Sequence, residues 1–188
     1  MSELYKKVEN FVRESFGNKH GMIHFERTVY WIKQLNPDAD EALLIAGIAH
    51  DIERAFRKRG GDQERRAKEL GYTHIEFLRH HEEEGARIIG EFLEKNSADK
   101  DLIDRVKMLV SRHEEGGKSD DLNILKDADS ISYFENNISH FLEHRIHEGG
   151  KENVRKKFEW TYSKITSKRA KEIVRPWYEK AMKDIENK

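Results

Sequence analysis

The feature that most constrains the fold is an unbroken apolar run that ends in a histidine and an aspartate. The run covers residues 42–49 (ALLIAGIA), and His50 and Asp51 follow it directly. A helix that is apolar on every side must be buried on every side. A carboxylate at the end of such a segment is costly unless a partner offsets its charge, and either a divalent metal ion or a hydrogen-bonded His–Asp pair in the core does so. The dipeptide alone leaves both interpretations open.

Length and composition favour one helical domain. The chain has 188 residues, of which 36% are hydrophobic and only two are proline, and it has no alternating β-branched run. These properties predict an all-α, compact bundle of roughly seven to nine helices, given typical lengths of about 11–12 residues. We expect a single domain over residues 1–188, with a metal-site core over about 5–134 and C-terminal helices over about 135–188.

Charge and cysteine content exclude several classes of function. The formal net charge of −1 argues against binding to nucleic acid or to anionic membranes. Because the chain has no cysteine, it has no disulfide, thiol nucleophile or thiolate metal site. The first residues are typical of an amphipathic helix rather than a signal peptide, and no apolar run approaches the length of a membrane span. We therefore expect a cytoplasmic protein.

Helical periodicity places several metal-type ligands on buried faces. Helices are predicted over about 2–16, 21–35, 38 or 40 onward through His50 and Asp51, 63–70, 73–95, 97 or 99 to about 113, 120–148, 151–165 and 168–185. Four of their apolar stripes carry or lead into one such side chain each: His24, His81, His113 and Asp129. A lone core histidine is more often a satisfied hydrogen-bond donor than a ligand. Several would each need a buried partner, whereas one metal cluster satisfies them together.

The segments that carry these residues resemble the HD-domain superfamily of metal-dependent phosphohydrolases. They are HFER at His24, AHDIER at His50 and Asp51, HHEEEGARII at His81, VSRHEE at His113, and KDADSI at Asp129. Their order and spacing agree with the family across roughly residues 5–134. Beyond that point the chain is similar only to the generic helical tail of the family.

The resemblance implies a ligand set. In this family the matching positions ligate one divalent metal ion, here through His24, His50, Asp51 and Asp129. In branches with two ions, the positions of His81 and His113 supply the second ion and Asp51 bridges. In other branches those two histidines bind the substrate phosphate. Mixed nitrogen and oxygen ligands suit Mn, Fe, Co, Ni or Zn better than Ca, and Mg is also compatible with them. We expect one or two such ions.

Two departures from the family bear on the reaction. Nucleotidase branches carry a catalytic glutamate three residues after the HD aspartate, where this chain has Arg54, and Glu53 stands one position early. The cyclic-dinucleotide phosphodiesterase branch carries Gly-Tyr-Pro after the third histidine segment. Here Gly71-Tyr72-Thr73 precedes that segment, so that activity is not inferred.

Taken together, these features predict an enzyme, a metal-dependent phosphohydrolase that acts on a nucleotide or another small phosphate ester. A metal ion held by histidine and aspartate with an open position activates water and polarises a phosphoryl oxygen. The alternative is an HD-type sensor that binds metal and nucleotide without turnover. We predict a catalytic role for Asp51, electrostatic stabilisation by Arg54, and acid–base chemistry by Glu53 or by water. Substrate phosphate is predicted to contact Arg54, Arg57, Lys58, His81 and His113, and the other cations after Asp51 are expected to form a solvated basic loop.

Several further residues leave alternatives open. His140, His144 and His147 have a spacing that can chelate zinc, but they lie opposite an apolar helix face and are expected to face solvent. Arg27 can orient a ligand, contact phosphate or form a surface ion pair. Aromatic and amide residues after Asp129 can line a nucleoside pocket or build core: Tyr133, Phe134, Asn136 and Asn137. The aromatic residues of the C-terminal helices are expected to be core.

Overall fold

The computed structural model describes residues 1–17, 21–58, 61, 65 and 73–187, and within these ranges every regular element is helical. The helices are α1 (Glu3–Phe16), α2 (Gly21–Leu35), α3 (Glu41–Ala49), α4 (Glu53–Phe56), α5 (Ile75–Lys95), α6 (Lys100–Val110), α7 (Asp120–Asn136), α8 (Ile138–His140), a π-helical turn (Phe141–Arg145), α9 (Ile146–Gly149), α10 (Lys151–Ser163) and α11 (Lys168–Glu186). The predicted all-α bundle is confirmed. The predicted surface helix at 63–70 lies largely outside the described residues. Among the described residues, no helix combines the length and apolar character that crossing a bilayer requires.

The apolar run α3 lies at the centre of a first core. This core is built from the apolar faces of α1, α2, α3, α5 and α6, together with the first half of α7. The carboxylate of Asp40 accepts the backbone N–H of Leu43 (3.1 Å) and so caps the helix that carries the run. Because α3 packs on α1, α2, α6 and α7, its end is held inside the bundle.

The second core lies between the end of α7 and the C-terminal helices. Ile131 and Phe134 of α7 pack with residues of α10 and α11, among which Phe158 is fully buried. The carboxylate of Asp127 accepts the backbone N–H groups of Thr166 and Ser167 (2.7 Å each), which fastens the start of α11 to α7. Helix α7 therefore belongs to both cores.

Two predicted helices are shorter in the structure than the sequence suggested. The buried helix was predicted to carry His50 and Asp51, but α3 ends at Ala49 and both residues lie in the turn before α4. The helix predicted over 120–148 ends at Asn136, and a π-helical turn interrupts the continuation. Both predictions were wrong about continuity because periodicity in hydrophobic residues persists through a break in the backbone hydrogen bonds.

Candidate metal centre and central cavity

Six buried ligand-type side chains meet between the two cores in two groups. The first triad consists of His24, His50 and Asp129, and the second triad consists of Asp51, His81 and His113. Within each triad, one ligand atom from each residue lies within 4.8 Å of the others. An ion with ligand bonds of about 2.0–2.2 Å can bridge such a group after small side-chain shifts. The structure therefore brings together all the residues that the sequence predicted as metal ligands.

The first triad is centred on Asp129. Its Oδ1 lies 3.1 Å from Nε2 of His24 and 3.4 Å from Nε2 of His50. Helix α2 supplies one imidazole, the turn after α3 supplies the other, and α7 supplies the carboxylate. Three chain segments that are remote in sequence thus face one oxygen atom.

Asp51 lies between the two triads. Its Oδ1 is 2.7 Å from Nε2 of His81 and 3.8 Å from Nε2 of His113, whereas its Oδ2 is 3.8 Å from Nε2 of His50. Each carboxylate oxygen therefore faces a different triad. Asp51 is therefore adjacent to ligand-type residues of both triads.

The backbone fixes the orientation of two imidazoles. Nδ1 of His50 donates to the carbonyl oxygen of Gly47 (3.0 Å), and Nδ1 of His113 donates to that of Val110 (2.7 Å). Each ring consequently keeps its Nε2 lone pair for another partner. Both Nε2 atoms are buried and have no hydrogen-bond partner among the described residues. Buried imidazole nitrogens are rarely left without a partner, so these two atoms fit metal ligation.

The other two imidazoles are oriented by side chains. The hydroxyl of Ser132 donates to the carbonyl oxygen of His24 (2.7 Å) and accepts from Nδ1 of the same residue (2.9 Å). Nδ1 of His81 donates to the Glu53 carboxylate (2.8 Å), which is also held by Arg57. A carboxylate that holds the far nitrogen of an imidazole is a common support for a metal-ligating histidine.

The charges of the two triads favour a bound cation. Burial raises the carboxyl pKa values, but neighbouring cations outweigh it: Arg54 holds the pKa of Asp51, and Lys164 that of Asp129, well below the usual range. Burial lowers the pKa of His113 to about 4, which keeps this imidazole neutral. Burial also opposes charge on His50 and His81, yet the nearby carboxylates raise both pKa values. The ionised carboxylates thus draw positive charge, which a metal ion can supply in place of protons.

The triads open onto a central cavity of about 270 Å³. Ligand residues of both triads form part of its wall: His24, Asp51, His81 and Asp129. Cations form a second part: Arg54, Arg57, Lys58, Arg145, Lys157 and Lys164. Aromatic and apolar side chains complete it, among them Phe77, Leu78, Tyr133 and Phe141. Cations and metal-type ligands around one small cavity are the groups that bind a phosphorylated molecule.

Four of the five residues predicted to contact phosphate line the central cavity, and the fifth, His113, does not: the four are Arg54, Arg57, Lys58 and His81. Nη1 of Arg54 is 3.0 Å from Oδ2 of Asp51. Glu53 is buried outside the cavity wall. Burial raises its pKa, but hydrogen bonds from His81 and Arg57 lower the pKa to about 2. Its geometry is that of a support for His81, and the acid–base role predicted for it stays a prediction.

Other predicted alternatives are now distinguished. Arg27 forms a two-point ion pair with Glu135 (2.8 Å each), which is the surface-pair alternative. Tyr133 and Asn137 line the central cavity, whereas Phe134 belongs to the second core. The possible zinc ligands His140, His144 and His147 are exposed, as predicted, and do not form a metal-type group among the described residues. The π-helical turn between them changes the register on which their spacing depended.

Sequence reasoning missed four charged residues near the triads. Lys164 contacts the carboxylates of Glu114 and Asp129, the latter at 3.2 Å, and Lys157 also lines the cavity. Glu82 accepts the backbone N–H of Glu114 (2.8 Å), and burial raises the pKa of Glu82 to about 7. No sequence motif marks Lys157 or Lys164, because lysines in a highly charged helix are ordinarily on the surface.

The comparisons with known proteins give one match. A protein-family model described as a domain of unknown function (DUF4202) matches residues 9–185. The chain belongs to the DUF4202 family. No curated protein and no solved structure matches it.

The DUF4202 match extends across both cores. It includes both triads and also Lys157 and Lys164, so the metal-type ligands and the cations of the cavity lie within one family region. No HD-domain family model matches the chain. The two His/Asp groups are compatible with metal binding. The family match does not indicate which reaction, if any, the protein catalyses.

Proposed function

We propose that the two triads bind divalent metal ions and that the protein hydrolyses a nucleotide or another small phosphate ester in the central cavity. The observation that carries this proposal is the convergence of four imidazoles and two carboxylates beside one cavity, whose wall includes two of those imidazoles, both carboxylates and several cations. Metal ligands and cations on one small cavity suit a ligand that is itself anionic. The aromatic side chains beside them suit the organic part of that ligand.

The residues fit metal ions. Nε2 of His50 and Nε2 of His113 are buried lone pairs without a partner in the described part of the chain, and each belongs to a different triad. Asp51 has one oxygen facing each triad and would contribute to both sites. The mixed imidazole and carboxylate set suits Mn, Fe, Co, Ni or Zn, with Mg also possible. A divalent ion held there supplies Lewis acidity, which acidifies water and polarises a phosphoryl oxygen.

The protein's own residues would position and stabilise the phosphoryl group. Arg54 is partly exposed at the cavity, and its planar guanidinium suits two parallel hydrogen bonds to phosphoryl oxygens. Lys164 places a second positive charge beside Asp129. Glu53 would keep His81 in the tautomer whose Nε2 lone pair is available to an ion held beside Asp51. We assign electrostatic stabilisation to Arg54 and positioning to Glu53.

The resemblance to HD-domain phosphohydrolases supports the same proposal. Five segments between His24 and Asp129 carry the resemblance, and their ligand-type residues come together in two adjacent groups. Local helix formation does not require that convergence. It is the outcome expected of an HD-type metal site.

One observation favours the second candidate, a sensor that binds metal and nucleotide without turnover. The carboxylates that line the described part of the cavity, Asp51, Glu114 and Asp129, are each already engaged by a cation or an imidazole. No described carboxylate of the cavity is therefore free to act as a general base. A hydrolytic reaction in this cavity would need a base other than these three carboxylates.

A screen of metal-reconstituted protein tests the proposal. Nucleotides and phosphomonoesters are incubated with protein loaded with Mn, Co, Ni, Zn or Mg, and released phosphate is measured. We expect turnover that disappears after chelation and in His81→Ala, and persists in His80→Ala, a matched change at an exposed neighbour. Elemental analysis of the same samples reports the metal content.

The outcomes separate the candidates. Bound metal with saturable nucleotide binding and no released phosphate would establish the sensor. Metal-free protein whose melting temperature does not rise with any of these ions would end both candidates.

A further inference from the structure

Lys157 is a buried residue whose ammonium group has no protein partner in the described part of the chain. Its side chain extends from α10 into the wall of the central cavity, and the residue is 8% exposed. Within the described residues it has no hydrogen bond and no ion pair. Its close contacts are with aromatic rings, since Nζ lies 4.4 Å from the ring centroid of Trp160 and 5.8 Å from that of Tyr133.

Lys164 lies at the same part of the cavity wall and, unlike Lys157, has ion-pair partners. Its Nζ lies over the same Trp160 ring, at 4.6 Å from the centroid. Unlike Lys157, it contacts two carboxylates, those of Glu114 and Asp129. The fold therefore has the means to pair a lysine at this wall and leaves the other unpaired.

The unpaired ammonium is costly to the folded protein. Burial lowers the pKa of Lys157 to about 8, and the attraction of Glu114 does not compensate for it. The group is still mainly charged at neutral pH, with three donors and no described acceptor. Cation–π contacts offset only part of the desolvation cost, because a ring accepts no full hydrogen bond. A residue retained at such a cost in a cavity wall points to a ligand.

A second unsatisfied donor lies beside it. The hydroxyl of Tyr133 is buried, has no hydrogen-bond partner in the part of the chain that the structure describes, and belongs to a residue that lines the same cavity. Burial raises the pKa of Tyr133, so this hydroxyl keeps its proton. Both residues line the same cavity, and an oxyanion is a partner that can satisfy both donors.

We propose that Lys157 and Tyr133 form an oxyanion subsite that binds phosphate without any metal ion. Lys157 has no ion pair with either triad, whereas Arg54 and Lys164 lie 3.0 and 3.2 Å from triad carboxylates. The subsite is thus carried by the second core and remains when the triads are stripped of metal. It deepens the proposed function, on which it rests only for the identity of the natural ligand as a phosphate ester.

Calorimetric titration of chelator-treated protein with inorganic phosphate at neutral pH tests the subsite. We expect saturable binding by the wild type and a loss of about 10- to 100-fold in affinity in Lys157→Met, the range for a charge-assisted hydrogen bond. Tyr133→Phe removes only the hydroxyl and should cost about 3- to 10-fold. The matched control is Lys156→Met, which removes the same charge from an exposed neighbour and should bind phosphate like the wild type.

The melting temperature separates a binding defect from a folding defect. Lys157→Met removes a buried charge, so it should melt at or above the wild-type temperature while it loses phosphate. Acetate in place of phosphate should bind at least about 10-fold more weakly, since one carboxylate offers fewer acceptors than phosphate. Phosphate affinity in Lys157→Met equal to that of the wild type, or no binding by the wild type, would overturn the subsite.

The same measurements distinguish this proposal from the proposed function. Lys157-dependent phosphate binding by a protein that holds no metal and shows no turnover would keep the subsite and end the hydrolase proposal. Metal-dependent turnover, together with phosphate binding that does not depend on Lys157, would support the hydrolase proposal and exclude the subsite.

Discussion

The two cores line the cavity between them with different groups. The first core, with α7, presents the imidazoles and carboxylates of the two triads together with Arg54, Arg57 and Lys58, and we call this the metal side. The second core presents Lys157 and Lys164 at α10 and its end, and we call this the lysine side. The comparison indicates that the cavity suits an anionic ligand that lies between a metal centre and a pair of lysines.

The two sides also differ in how their polar groups are satisfied. In the first core each imidazole has its far nitrogen held by the backbone or by a side chain, and the near nitrogen faces the site. In the second core, the recorded contacts of the Lys157 ammonium within the described ranges are with aromatic rings. The imidazoles of the metal side are thus already oriented without a bound metal ion. The ammonium of Lys157 on the lysine side, by contrast, gains a hydrogen-bond partner when an anion binds.

The largest expected effect is the loss of metal binding when Asp51 is replaced. Asp51→Ala removes the carboxylate that faces both triads, so we expect loss of bound metal and a fall in turnover of at least about 10³-fold. Elemental analysis and a phosphate-release assay measure the two effects. Asp38→Ala removes an exposed carboxylate instead, so it is the control and should resemble the wild type. Full metal content in Asp51→Ala would remove Asp51 from the metal centre.

The next prediction concerns the hydrogen bond between Glu53 and His81, which orients a metal-type ligand. Glu53→Gln weakens the hydrogen bond that orients His81, and supports of this kind typically contribute 10- to 100-fold in metal affinity, so we expect about that loss. Metal titration followed by melting temperature measures it, with Glu84→Gln on α5 as the control. If the acid–base prediction for Glu53 holds instead, kcat will fall while metal affinity stays at the wild-type level.

Sequence patterns predicted the metal side well because its ligands continue apolar stripes. His81 lies among core residues of α5 and His113 follows the buried end of α6, so burial of the stripe carries the ligand inward. The bounds of α1 and α2 were predicted closely for a related reason. Their ends are marked by Ser2, by Gly17 in the left-handed region (φ 62°), and by Asn36-Pro37.

The sequence did not predict the lysine side, for physical reasons. Lys157 stands in a helix rich in charge, where a lysine is ordinarily solvated, and only tertiary packing of Trp160 and Tyr133 over it makes it buried. Likewise the turn at His50 follows an apolar run without a glycine or proline to mark it. Helix ends of that kind are set by what packs around them.

A smaller effect is expected where the two sides meet, at Arg54. Arg54→Lys keeps the charge and loses the planar fork, so metal should be retained while turnover falls about 10-fold. Arg54→Ala should lower turnover about 10²-fold. Arg54→Glu installs the carboxylate that nucleotidase branches of the HD family carry, so its turnover tests whether this position can supply a base. Arg79→Lys, at an exposed site, is the control. Unchanged turnover in Arg54→Ala with metal fully bound would exclude Arg54 from the mechanism.

A measurement of stability, rather than of rate, isolates the lysine side. Lys157→Met removes a buried charge, so at pH 7 we expect it to be about 3 kcal/mol more stable than the wild type in urea unfolding without phosphate, since one pKa unit corresponds to about 1.4 kcal/mol. Lys157 is charged in the unfolded chain up to its ordinary pKa of 10.5, whereas burial lowers its native pKa to about 8. Lys156→Met should have wild-type stability.

The pH dependence of that difference gives the sharper test. Below pH 8 both states bind the Lys157 proton and the wild type bears the full cost of the buried charge. Between pH 8 and 10.5 the unfolded state binds more protons than the native state, so the wild type gains stability relative to Lys157→Met as pH rises. The charged and titratable groups that face Lys157 are common to both proteins and largely cancel in the difference: Glu114, Lys164, Arg54, Asp129 and Tyr133. A stability difference that stays constant from pH 7 to 10 would mean that Lys157 is not buried as a charge, and the contrast between the two sides of the cavity would then lose its basis.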